Sequence, residues 1–312
     1  MKRLRGGPEC SRSGYLFLLP NFTGFLLFVL LPVLASLALS FCRWEILKDN
    51  TPTFIGLANF RKLLTSEDFW YHTYNTMFLM LGIPVGMMLS LALALLLNRS
   101  IRGIKLFRMV YFLPTVTAGV ALLVLWMWIY EPLYGLLNCT LGQFGVEGPN
   151  WLRGGFRLEF LSWFGMDPQC YWSKPALMLM GIWTGVGGYN MILYLAALHT
   201  VNPQLYEAAQ VDGATRWQKF RYITWPMLAP ATFFIFIMSL IDGFQGGFES
   251  AYVMTLGGPA GSSTTISFQI FNELFENDRA GYASAIAWFL FLIVFVLTLI
   301  SWRYGGKVVH HD

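Results

Sequence analysis

The chain has 312 residues, of which 56% are hydrophobic and 12% charged, with a mean hydropathy of +0.53. That charged content is about half the usual value for a soluble domain, and a net charge of +4 spread along the sequence makes no nucleic-acid-binding surface. Cys10, Cys42, Cys139 and Cys170 form no CxxC pair and share no spacing with histidine that suits zinc, so no metal site is expected.

Residues 1–14 carry Lys2, Arg3, Arg5 and Arg12 and precede an apolar run over 15–41. The run exceeds both a signal-peptide core and the roughly 20 residues of a spanning helix, and reads as an uncleaved first span. Further spans are predicted at 75–97, 107–130, 176–198, 227–247 and 282–302. The expected fold is all-α: a polytopic membrane protein with six transmembrane helices and both termini on one side. Its parts are an N-terminal segment 1–14, a first helix 15–41, a transmembrane core 75–302 with a polar loop at 199–226, and a C-terminal segment 303–312. Thirteen of the 21 Lys and Arg fall in the termini and the loops around Arg102 and Lys219, and the other eight are thinly spread over longer loops. Positive residues flanking spans stay cytoplasmic, which puts both termini and the 199–226 loop in the cytoplasm.

Gly82, Gly86, Ser90 and Ala94 recur every four residues in the second span, a stripe that suits close helix packing, and Pro84 is expected to kink it. The loop 131–175 is longer than a connector needs; it either meets an extracytoplasmic partner or shelters an entrance, and Cys139 and Cys170 within it are expected unpaired. In the fourth span Trp183, Gly187, Asn190 and Tyr194 recur at helical spacing, with Tyr189 beside them. Aromatic faces with amide donors suit sugars, and they suit ordinary helix packing equally. Ser239, Asp242, Gln245 and Glu249 fall on one predicted helical face, and Asp242 is the only acid inside an apolar span. A carboxylate there is expensive, so it either faces a wet pathway or fixes packing through a hydrogen bond. Leu256–Ser263 is a glycine-rich turn expected outside the membrane; it lacks the Gly-Lys-Ser/Thr of a P-loop, so any ATP is held by another polypeptide.

The most informative stretch is Glu207–Pro226, EAAQVDGATRWQKFRYITWP. It reads as a short helix broken at Asp212-Gly213 and a second helix from Trp217, too polar to span a bilayer. Glu207, Ala208, Ala209, Asp212, Gly213, Ile223 and Pro226 match the EAA loop of ABC-importer permeases, with Trp225 where leucine is usual. With Leu205-Tyr206 and LGGPAGSSTT at 256–265, the chain resembles the binding-protein-dependent sugar permeases of the maltose and glycerol-phosphate type. The resemblance implies a type I importer permease in the bacterial inner membrane. Its partners would be a second permease subunit, two ATPases that bind ATP and magnesium, and an extracytoplasmic solute-binding protein. It also implies a coupling helix at Glu207–Gly213 and a substrate pathway near Tyr189, Asn190, Ser239, Asp242 and Gln245. On this reading the chain has no catalytic residue and binds no cofactor. An ion-coupled secondary transporter using Asp242 is the alternative, and a membrane enzyme with Asp242 or His199 as base is a third.

Overall fold

Proline and glycine set the places where the apolar helices bend. The computed structural model describes residues 8–48, 51–99, 102–117, 119–157 and 169–309; Lys2, Arg3, Arg5 and residues 158–168 lie outside them. Five helices are long and apolar enough to cross a membrane: Phe17–Ser40, Glu67–Leu97, Ser173–Thr200, Arg216–Thr255 and Ala280–Arg303. Ile104–Val116 and Gly119–Ile129, bent by 99° at their break, make a sixth when taken as one span. Among the described residues, strands are confined to two short antiparallel pairs, so the all-α class holds.

Several spans differ from the sequence expectation in length or continuity. The second begins at Glu67, eight residues early, because Thr73, Asn75 and Thr76 are polar yet buried on its inner face. It is interrupted at Leu81, three residues ahead of Pro84. The third divides between Val116 and Gly119, and the fourth at Gly187-Gly188. The fifth starts early, at Arg216, runs through a π turn into the apolar segment, and breaks at Gly246-Gly247. Pro32 and Pro226 are both preceded by a π turn, with Leu31 N–H bonded to Leu26 O and Trp225 N–H to Phe220 O. The wider turn relieves the clash between a pyrrolidine ring and the carbonyl four residues back.

By packing, the chain forms two units, residues 1–66 with 270–289 and residues 67–269 with 290–312. In the first, Phe17–Ser40 buries none of its most apolar window. Such a helix is covered by lipid or by another chain. Its C-terminal end is held by Asn59, whose Nδ2 donates to Ser40 O and Cys42 O at 2.9 Å each. Cys42–Arg43 pairs with Thr53–Phe54, and Gly281 passes so close to Cys42 that an added Cβ would lie 2.0 Å from its carbonyl oxygen.

In the second unit, one core joins Met87, Leu91 and Ala94 to Met191, Tyr194 and Leu198 and to Leu228 and Ile235. Gly82, Gly86, Ser90 and Ala94 are all buried; the stripe packs closely at Gly82, where an added Cβ would lie 3.0 Å from Met178 Cγ, and at Ser90, whose Oγ donates to Gly86 O and Gly185 O, whereas Gly86 faces open space. A second core joins Leu123, Trp126 and Tyr130 to Ala176, Leu177 and Met180. Tyr130 Oη donates to Ala176 O at 2.6 Å, and rings of Tyr130, Trp151, Trp172 and Phe156 follow one another in contact. That aromatic file links the described parts of the long loop, on either side of residues 158–168. Cys139 and Cys170 are free thiols.

The glycine-rich turn is a structural clasp. Ser262, Ser263, Thr264 and Thr265 are buried, and Asn75 Nδ2 donates to Gly261 O at 2.9 Å and Thr264 O at 3.0 Å. Ser173 and Ser262 hydroxyls pair at 2.8 Å, and Thr76 Oγ1 accepts from Ile266 N–H. Asn75→Ala removes both bonds; Gly261 O keeps the Thr264 N–H at 3.1 Å, and Thr264 O loses its side-chain donor at about 1–3 kcal/mol. Thermal unfolding in detergent should therefore register a loss of about 1–3 kcal/mol; an unchanged midpoint would show that the clasp is not held by this amide.

Candidate functional site

A cavity of about 520 Å³ lies in the second unit. Four of its lining residues were expected from the sequence: Tyr189, Asn190, Ser239 and Asp242. They come together because Tyr189–Thr200 packs against Trp225–Gln245 through the Met191, Tyr194 and Ile235 core. Asn190 Nδ2 donates to Ser239 Oγ at 3.4 Å, a long bond that ties the two helices at the cavity wall. Tyr189 begins its helix just after the Gly187-Gly188 break, is 69% exposed, and meets the ring of Phe112 edge-on. Asp242 is exposed and its carboxylate makes no hydrogen bond or ion pair with a described residue.

Gln245 does not line the cavity. Its helix ends there: Gly246 is extended, Gly247 takes φ +82°, and Glu249 restarts in a separate short helix, so the predicted common face stops at Asp242. Glu249 lies instead against Gly119, where an added Cβ would sit 2.9 Å from its Oε2. Sequence periodicity missed the other contributors, among them Gly82, Gly86, Thr115 and Thr184. Glycines carry no side-chain signal of their own; the Gly187-Gly188 pair was the one visible clue to a break.

Below the cavity-lining helices, the polar loop folds as a helical hairpin. Asn202 caps Pro203–Val211 through its Oδ1, which accepts from Gln204 N–H at 3.0 Å, and Pro203 occupies the first turn, where it needs no donor. The helix stops at Asp212 in a Schellman turn: Gly213 takes φ +77°, with Gly213 N–H on Gln210 O and Ala214 N–H on Ala209 O. Thr215 and Gln218 then form a capping box, and Arg216–Lys219 leads through the Phe220–Thr224 π turn directly into the fifth span. Glu207, Ala208, Asp212 and Gly213 are exposed, and Ala209 and Ile223 are half-buried. Trp225, the departure from the usual leucine, extends a file of rings with Phe220 and Trp217.

The hairpin is fastened to the span it feeds. Tyr206 and Thr224 hydroxyls pair at 2.9 Å, and Lys219 Nζ donates to Gln210 Oε1 at 3.3 Å. Tyr206→Phe removes the better-placed of these bonds at a cost of about 1 kcal/mol, too little to unfold the chain. Limited proteolysis within the hairpin should quicken in this variant while the thermal unfolding midpoint stays nearly native; unchanged cleavage would deny the bond a part in fastening the hairpin.

Residues 82–303 match the family described as "Binding-protein-dependent transport system inner membrane component". The chain belongs to that family. The permease is 34% identical to the lactose transport system permease protein LacF of Rhizobium radiobacter over 296 residues, covering 93% of this chain and 92% of that one. It is 31% identical to the trehalose/maltose transport system permease protein MalF of Thermococcus litoralis, covering 95% and 94%. Its fold matches a chain from the crystal structure of a bacterial alginate ABC transporter in complex with alginate pentasaccharide-bound periplasmic protein. The TM-score is 0.80 at 26% identity, over the whole of both chains. The permease is thus a multi-pass membrane component of a transport system, not its catalytic part.

Proposed function

We propose that this chain forms one half of the translocation pathway of an ATP-driven importer for a sugar or sugar-like solute. A second permease subunit would complete the cavity, an extracytoplasmic solute-binding protein would deliver the solute, and two cytoplasmic ATPases would bind ATP and magnesium. Both termini and the 203–213 hairpin face the cytoplasm of the bacterial inner membrane on this reading, in keeping with the bias of Lys and Arg.

The observation that carries the proposal is one of connection. The hairpin joins the two helices, Tyr189–Thr200 and Trp225–Gln245, that line the cavity from neighbouring sides. Exposed Glu207 and Asp212 offer charged contacts to an ATPase, while small Ala208 and Ala209 allow close approach and Gly213 makes the turn. Movement of the hairpin with the ATPases would then reach Tyr189, Asn190, Ser239 and Asp242 through a continuous helix and a capped turn. Relatives named for lactose, for trehalose and maltose, and for alginate support the solute class.

Reconstitution in proteoliposomes tests it. Uptake should require the ATPases, ATP and the binding protein together, and a cysteine introduced in place of Glu207 should react with an impermeant thiol reagent only from the cytoplasmic side. Uptake by the purified chain alone, driven by an ion gradient, would replace this reading with a secondary transporter using Asp242.

A further inference from the structure

We propose that the cavity filters solutes by charge and that Asp242 is the specificity-determining residue: uncharged or cationic polyhydroxylated solutes pass, and carboxylated or phosphorylated ones are rejected. The inference rests on the reading of this cavity as the transport pathway. Its polarity is nearly all neutral. The breaks of four spans border it, through Gly82 next to Leu81, Thr115 near the end of its helix, Gly188, and Gly246-Gly247. Irregular backbone at membrane depth is tolerated where it is covered by protein or lines a watery cavity, and there its amides and carbonyls can serve hydroxyl groups of either hydrogen-bonding sense.

Against that neutral wall stands one charge. Among the described residues no lysine, arginine, histidine or second carboxylate lines the cavity. Asp242 is exposed, and no described residue neutralises it by a hydrogen bond or ion pair. Its field is therefore directed at whatever occupies the cavity, with apolar walls of Leu79, Ile83 and Leu177 to limit screening. An acidic polysaccharide such as the alginate imported through the transporter of a structurally similar chain would meet the wrong sign here. The solute of this permease differs in charge from that neighbour's.

Ser239 stands one helical turn from Asp242 on the same wall and gives a place to read the field. In the assembled transporter, with Cys10, Cys42, Cys139 and Cys170 changed to Ser, Ser239→Cys is labelled with two methanethiosulfonates of similar size. One carries a trimethylammonium and the other a sulfonate, and each rate is normalised to that with a small free thiol. The cationic reagent should react faster by about tenfold or more, Asp242→Glu should preserve the preference, and Asp242→Asn should bring the ratio close to one. Equal rates with Asp242 present would overturn the charge filter, as they would if a cation of the second subunit neutralised the carboxylate. A preference untouched by Asp242→Asn would also overturn it. Failure of the introduced thiol to react with either reagent is a different result: it would sink the pathway reading itself.

Discussion

Transporters carrying Gly213→Val should insert and assemble at normal levels and lose uptake by about tenfold or more. Gly213 sits at φ +77° in the Schellman turn, and nothing lies within 4 Å of an added Cβ. The penalty is therefore conformational: a β-branched residue forced into the left-handed region costs about 1–2 kcal/mol and re-aims the turn. That is a small part of the stability of a whole domain, about 5–15 kcal/mol, so the bundle survives. What changes is the angle between Pro203–Val211 and the helix starting at Arg216, the joint on which transmission to the cavity depends. Gly213→Asn, which tolerates the same φ, should retain most uptake. ATP-dependent uptake and membrane content measured side by side decide the matter, and full uptake by the Val variant would remove the hairpin from the mechanism.

Gly187→Ala should act in the opposite way, lowering the amount of folded protein before transport is considered. An added Cβ there would lie 2.0 Å from the Tyr111 carbonyl oxygen and 2.9 Å from its carbon. Backbone cannot swing aside as a side-chain tip can, so the third and fourth spans must separate where they border the cavity. Overpacking of this kind costs about 1–3 kcal/mol and at times more. Gly86→Ala is the matched control: it also borders the cavity, yet no atom lies within 4 Å of its added Cβ. The extra methyl should leave stability level or slightly raised, since alanine favours a helix by about 1 kcal/mol over glycine. It should narrow the cavity and reduce uptake alone. A Gly187→Ala protein with a native unfolding midpoint would mean that the two spans do not meet as closely as described.

Much of this was legible from local pattern. The apolar runs are too long for anything but spans, the four-residue stripe from Gly82 to Ala94 announced a close helix contact, and Asp212-Gly213 announced a turn. Each depends on residues near in sequence, where periodicity and backbone preference act directly. The face from Ser239 to Glu249 was legible only as far as Asp242, because extrapolating a helical period assumes that the helix continues through Gly246-Gly247. Helix starts were misjudged for a related reason. Thr73, Asn75 and Thr76 look like loop residues by hydropathy, but the two hydroxyls and the Asn75 amide nitrogen are answered by backbone from Phe69, His72, Gly261, Thr264 and Ile266, and only Asn75 Oδ1 is left without a partner among the described residues.

The residues read in order were enough to establish the class of molecule, the number and approximate place of its spans, and the hairpin with its family signature, since composition, period and turn chemistry are properties of short segments. It took the folded arrangement to reveal that four spans break beside one cavity, that Asp242 stands there without a cation among the described residues while Gln245 does not line it, and that Tyr206 locks the hairpin to Thr224. Those facts depend on which distant atoms approach within a few ångströms, and they follow from the packing of whole helices rather than from the preference of any one residue.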